Sequence, residues 1–440
     1  MADGRENAMK VLWLCNIVLP KIAEDLSRPA SNAGGWLVGF SEALLKRGDM
    51  ELCIAFPLIG EKNGKEGTAG RLRYFGFPVK RNGFDRYNPA HERYFESIID
   101  RIKPDILHIF GTELPSSLAM VNACRHTGNL SRLVINIQGL VSICEKHYYA
   151  GLPEKVTRKY TLFDFLLRNN IRQQKRRFGK RALFETETLQ NARHVIGRTD
   201  WDTACVTQIN PEISYHFCNE ILRDSFYHAQ WQWDACEKHS ILMSQANYPI
   251  KGLHFLLEAM PLILKQYPDA RITVAGLPML ADDWKSRLKR TSYAQYLDRL
   301  IGKYQLRDHV TFVGNLAEKD MCQRYVKTHV FVSPSVIENS PNSVGEAMMA
   351  GVPTVSSDVG GVKNMLTHGE DGYLYPHDEP YMLAYYVCRI FGDRALAEKL
   401  ASSARARANI AHSREINLER LLEIYNDMAI AAQRQTTVNR

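Results

Sequence analysis

The sequence predicts an α/β protein built from two Rossmann-like, doubly wound halves with parallel sheets. Three observations predict it. Short, continuous Val/Ile/Leu runs alternate with helical patterns, which is how parallel strands covered on both faces read. The alternation breaks once, from Asn219 to Lys238, where Trp, Tyr, Phe and His intervene, and then restarts. A chain of 440 residues also exceeds what one typical core accommodates.

The elements follow in order. "KVLWLCNIVL" reads as a buried first strand, "GGWLVGFSEALLKRG" as a helix and "ELCIAFPL" as a second strand. The polar stretch from Gly60 to Gly70 is an excursion, after which "DILHIFG", "LPSSLAMVNACRH" and "RLVINIQG" resume strand, helix and strand. A long helical segment, Lys159 to Asn191, precedes the short strands "HVIG" and "ISYHFC". The second half runs through "SILMSQA", "GLHFLLEAMPLILKQYP", "RITVAG", "VTFVGN", "EKDMCQRYVKT", "HVFVSPS" and "VPTVSS", with helices in most of the remainder. The expected domains are 8–218 and 239–412, joined by a linker and followed by a helix at 413–435.

With 45% hydrophobic and 24% charged residues, the composition is that of a soluble globular protein. Nine cysteines are scattered singly, without a CxxC pair or zinc-ligand spacing, so they read as buried thiols in a reducing, cytoplasmic setting. No apolar run reaches the roughly 18 residues of a spanning helix. Asp3 and Glu6 spoil the basic leader that a signal peptide would place before the first strand. The net charge of +8 is modest, and no nucleic-acid reader motif accompanies it.

Ligands of doubly wound sheets bind beyond the carboxyl ends of the strands. The stretch "SPSVIENSPNSVGEAMMAGVPTVSSDVGG", Ser333 to Gly361, is such a place, with Glu338 in the loop after a buried strand and Glu346 just inside a helix. Ser343 and Glu346 form S-x-x-E, which a capping box alone would explain. Glu338 has no such explanation. The helix start at Asn342 or Ser343 offers backbone amides and the positive end of a dipole, a place for a phosphate.

This block resembles the retaining glycosyltransferases of family 4, whose fold is GT-B, with its E-x7-E signature at Glu338 and Glu346. "NAGGWLVGFSEALLKRG" and "IKGLHFLLEAMPLILKQYPDARITVAG" are similar to that family's glycine-rich first loop and to the start of its nucleotide-binding domain. The resemblance implies an N-terminal acceptor domain and a C-terminal donor domain facing across a cleft, with the last helix crossing back to the N-domain. It implies that Glu338 contacts the transferring sugar, Glu346 the donor ribose, and Lys251 the diphosphate. Gly34, Gly35 and the amides of Asn342, Ser343 and Val344 would also meet the donor. The substrate is then a nucleotide diphosphate sugar, UDP-sugar favoured, with no separate cofactor and no metal.

The chain departs from that family in two places. The arginine that precedes the lysine is replaced by Gln245 or Ala246, and the acceptor-side histidine by Gln138. Glutamine hydrogen-bonds but is no base. His147 is a substitute or an ordinary turn histidine. Asp200-Trp201-Asp202 looks like the D-x-D of metal-dependent transferases, but it begins a helix after Thr199, where a cap is the simpler account.

The segment Arg168 to Arg181 is basic and follows the apolar "YTLFDFLL". Such a helix suits an anionic membrane surface, or is a solvated face. The expectation is a retaining transferase acting on a glycan or lipid-linked acceptor in cell-surface polysaccharide assembly, cytoplasmic and peripheral on the inner membrane face. The alternative is a non-catalytic sugar-nucleotide-binding subunit.

Overall fold

The computed structural model describes residues 8–29, 34–81, 83–276 and 290–438, with side chains to residue 434. Asp3 and Glu6, and Asn32 and Ala33 of the glycine-rich loop, lie outside the described residues. Contacts divide the chain into two units, one of Met1–Ser142, Gly179–Ile221 and His412–Arg440, the other of Ile143–Phe178 and Leu222–Ala411. The segment Ile143–Phe178, inside 8–218 by sequence, thus clusters with the second unit.

The first unit holds an eight-stranded sheet: β1 (Met9–Leu14), β2 (Met50–Ile59), β3 (Lys65–Ala69), β4 (Leu72–Val79), β5 (Ile106–Phe110), β6 (Leu133–Asn136), β7 (His194–Gly197) and β8 (Ser214–Phe217). Their order is β3-β4-β2-β1-β5-β6-β7-β8. All neighbours are parallel except β3, which is antiparallel to β4. β3 lies within the stretch expected to be a polar excursion. As an edge strand with no buried residue it shows none of the apolar alternation that marks a strand in sequence.

The helix Arg414–Val438 belongs to the first unit. Its Tyr425 hydroxyl accepts from Trp13 Nε1 on β1 at 3.0 Å and reaches His108 Nδ1 on β5 at 2.6 Å. Burial pushes the His108 imidazole down to about 3, so it is neutral and Nδ1 takes the tyrosine proton. The last helix is therefore fastened to the two central strands by a buried polar link.

The second unit holds six parallel strands: β9 (Glu237–Met243), β10 (Arg271–Ala275), β11 (Val310–Gly314), β12 (Thr328–Ser333), β13 (Thr354–Ser357) and β14 (Tyr373–Tyr375). The order β11-β10-β9-β12-β13-β14 reverses direction between β9 and β12. That reversal opens the crevice in which a doubly wound sheet takes its ligand. The expected linker is structured: Trp231 donates its backbone N–H to Ala350 O and its ring N–H to Thr328 O, both at 2.8 Å.

The expected continuous helix from Lys159 to Asn191 is two helices, Leu162–Leu167 and Ile171–Gln190. Thr161 caps the first in a capping box with Asp164, and Asn170 and Gln173 exchange equivalent bonds at the start of the second.

Candidate functional site

The crevice of the second unit is lined by the loops after β9 and β12. The chain leaves β9, makes a 3-10 turn at Pro249–Lys251 and enters the helix Leu253–Leu264 through Gly252. Gly252 has φ 74°, and a Cβ there would lie 1.8 Å from Pro334 O in the loop after β12. Only glycine lets the two loops meet this closely. Gly360 does the same from the other side, where a Cβ would lie 1.9 Å from Glu338 O, and Gly361 N–H donates to that carbonyl at 3.1 Å. Val336 N–H adds a bond to Ile250 O at 2.8 Å.

Clamped in this way, the loop delivers Glu338 to Lys251, whose Nζ donates to Oε1 at 2.6 Å. Ser335 Oγ donates to the same oxygen at 2.7 Å. Burial opposes the Lys251 charge, but the Glu338 carboxylate outweighs it and holds the ammonium above its ordinary range. The two residues expected to handle sugar and diphosphate are thus brought together as an ion pair at the crevice.

Glu346 lies in the helix Asn342–Met349, whose N-cap is Pro341 with no side-chain cap bond. The capping-box explanation is therefore incorrect: Ser343 sits two positions past the N-cap, inside the helix. Glu346 instead accepts two bonds from Arg223, from Nε at 2.6 Å and Nη2 at 2.7 Å. Burial raises the Glu346 carboxyl, and Arg223 counters that shift. For the guanidinium, burial works against the charge, but the bonds and charge of Glu346 prevail and raise it. A bidentate arginine uses about two of a carboxylate's roughly four lone-pair sites, leaving the others for a ligand.

The Val344 amide is occupied, donating to Pro341 O at 2.9 Å. Of the expected phosphate donors at this helix start, Asn342 and Ser343 precede it. Arg223 was invisible to sequence reasoning because nothing in "EILRDS" marks an arginine that finds its partner 123 residues later.

The first unit has its own reversal, between β1 and β5. Asn16, after β1, donates Nδ2–H to Glu113 Oε2, after β5, at 3.3 Å. Burial above all, then Glu185, pushes the Glu113 carboxyl up to about 7. Sequence reasoning passed over Glu113, although a carboxylate three residues beyond a buried strand was the available signal. Between about pH 4.5 and 7 the unfolded chain loses this proton and the folded chain keeps it, so the group's contribution to stability falls as pH rises through that window. Glu113→Gln is expected to melt at least ~2 °C above the wild type at pH 8 and level with it at pH 4, read by thermal unfolding.

Gly34, with φ 74°, caps the helix Gly35–Lys46, and a Cβ on it would lie 2.0 Å from Ile17 Cδ1 in the loop after β1. Gln138 donates Nε2–H to Asn136 Oδ1 and Glu220 Oε1, each at 2.6 Å, so its amide nitrogen is engaged within the first unit. His147 belongs to the second unit, where burial and His377 lower its pKa. The two acceptor-side candidates are therefore not assembled in one unit. Thr199 is the N-cap of the helix that the D-x-D begins, and Asp202 completes the capping box with it and accepts from Tyr215 at 2.6 Å.

Three comparisons bear on the chain. The profile of glycosyl transferases group 1 matches residues 228–407, which span Lys251, Glu338 and Glu346. The chain carries a group 1 glycosyltransferase domain. Among curated relatives, the amylovoran biosynthesis glycosyltransferase AmsK of Erwinia amylovora is 25% identical over 185 residues, 41% of this chain and 42% of AmsK. The chain spans about half the length, or less, of the curated relatives it matches first. Sucrose-phosphate synthase from Thermosynechococcus elongatus shares the fold, with TM-score 0.71, 18% identity and coverage of 96% of this chain and 100% of that one. Anabaena Alr3699/HepE, solved with UDP-glucose, gives TM-score 0.66 at 16% identity, covering 95% and 100%. The group 1 domain thus sits in a GT-B chain of two Rossmann-like units, the fold expected from the sequence.

Proposed function

We propose that the protein is a retaining glycosyltransferase of family 4 that moves a sugar from a UDP-sugar to a glycan or lipid-linked saccharide acceptor. The pairing of Lys251 with Glu338 at the reversal point of the group 1 domain carries this reading. In the reaction the anomeric carbon–oxygen bond to the diphosphate breaks, a bond to the acceptor hydroxyl forms on the same face, and the acceptor proton passes to a departing phosphate oxygen. Positive charge grows on the sugar and negative charge on the leaving group. A fixed ammonium at Lys251 stabilises the second, and the Glu338 carboxylate, released by the arriving phosphates, meets the sugar hydroxyls.

Glu346 holds the donor ribose through the oxygen lone pairs that Arg223 leaves open, which makes Arg223 a positioning residue. UDP is favoured because Alr3699/HepE was solved with UDP-glucose. Assembly of a cell-surface polysaccharide is the setting that the name of AmsK supports. No helix among the described residues is long and apolar enough to cross a membrane, and the basic segment Arg168–Arg181 would hold the enzyme at the inner membrane face.

A thermal-shift screen against UDP-, GDP-, ADP- and TDP-sugars, followed by detection of released diphosphate, tests the proposal. Stabilisation by the UDP class with release of UDP is the expected result. Glu338→Gln should lower turnover at least about a hundredfold while leaving UDP affinity within about threefold. Unchanged turnover would remove Glu338 from the reaction.

A further inference from the structure

The helix Leu162–Leu167 is built inside out. Its one charged residue, Asp164, is fully buried, while Leu162, Phe165, Leu166 and Leu167 are 71%, 69%, 69% and 52% exposed. A surface helix ordinarily does the reverse, since burying apolar side chains is what holds it in place. Here polar bonds do that work. Asp164 Oδ2 accepts from Ser292 N–H at 2.8 Å, at the start of the helix Ser292–Lys303, and Asp164 completes the capping box with Thr161.

The far end of the helix is fixed as well. Arg168 adopts φ 48°, and Arg177 reaches back to donate to Arg168 O at 2.8 Å and Asn169 Oδ1 at 2.9 Å. An apolar surface raised on so many specific hydrogen bonds is a built feature, and four adjacent large side chains form a patch that calls for an occupant.

The charges around it indicate which. Arg168 follows the patch directly, and Arg172 and Arg176 lie one turn apart on the next helix, all exposed and without a carboxylate partner among the described residues. Exposed apolar side chains followed in the chain by unpaired cations complement an anionic lipid surface, where the former enter the acyl boundary and the latter meet the headgroups. We infer that Leu162–Leu167 is a wedge that inserts into an anionic bilayer, with Phe165 and Leu166 as its tip. The inference rests on the reading that the basic segment faces a membrane, and assigns the apolar anchor that charge alone does not supply.

The test is co-sedimentation of the full chain with phosphatidylcholine vesicles containing or lacking phosphatidylglycerol. The wild type is expected to bind the anionic vesicles. Phe165→Ser/Leu166→Ser should weaken binding at least about tenfold, and Arg172→Gln/Arg176→Gln about twentyfold. All these positions are exposed, so melting temperatures should match the wild type. Phe165→Trp should acquire fluorescence quenchable by brominated acyl chains. If the arginine variant loses binding while the apolar variant and the tryptophan probe show no insertion, the wedge is overturned and the electrostatic reading stands. If the wild type ignores anionic vesicles, both fall. If the apolar variant instead abolishes self-association seen by sedimentation velocity, a second copy covers the patch and the wedge is again overturned.

Discussion

Arg223→Ala is expected to destabilise the second unit by about 3–5 kcal/mol, read as a shift in its urea unfolding transition. The side chains of Arg223 and Glu346 are only 15% and 8% exposed, so removing the guanidinium leaves a buried carboxylate with neither water nor counter-charge. The neutral Glu346→Gln, which leaves Arg223 with one acceptor, should cost less. Pairing alanine at both positions should recover part of the loss, and the coupling energy from that cycle measures the pair itself. A loss below about 1 kcal/mol for Arg223→Ala would mean that water or another residue takes over. The same variant should bind UDP more weakly, because Glu346, already raised by burial, would take up a proton once its cation is gone.

Lys251→Ala is expected to lower turnover by about a hundred- to a thousandfold, the usual effect of deleting one fixed donor aimed at developing charge. Lys251 donates at 2.6 Å to Glu338, so the variant also leaves that carboxylate without its cation. Calorimetry with UDP and with uridine separates the two consequences. Affinity should fall for UDP and hold for uridine, since only the former carries the phosphates that the ammonium meets. Equal losses for both would show that the loop had moved and that the charge was not the cause.

What the sequence disclosed and what it concealed divide along the range of the interactions. β1, β5, β6, β9 and β12 were legible because parallel strands buried on both faces are continuous apolar runs. β3 was not, being an exposed edge whose pairing with β4 leaves no apolar signature. The break between the helices Leu162–Leu167 and Ile171–Gln190 is marked in the sequence by Thr161-x-x-Asp164 and Asn170-x-x-Gln173, two helix-start spacings that helical periodicity alone runs through.

The site followed the same rule. Glu338 and Lys251 stood out through short motifs after strands, and topology brought them together. Arg223 and the Asn16–Glu113 contact depend on which loops the two sheet reversals make neighbours, and that is a property of strand order that no local window contains.

The bond between Trp13 and Tyr425 has a consequence for how the chain is made. The last strand of the first sheet ends at Phe217, yet the helix that seals β1 and β5 is translated only after the whole second unit. At about 5–20 residues per second, the first unit waits roughly 10–40 s on the ribosome with Trp13 and His108 uncovered. The second unit is fully translated at Ala411, before that helix is made, and can close while its partner is still unfinished. Folding order would then run against the order of synthesis, and a chaperone acting on the nascent chain would find its client in the half made first.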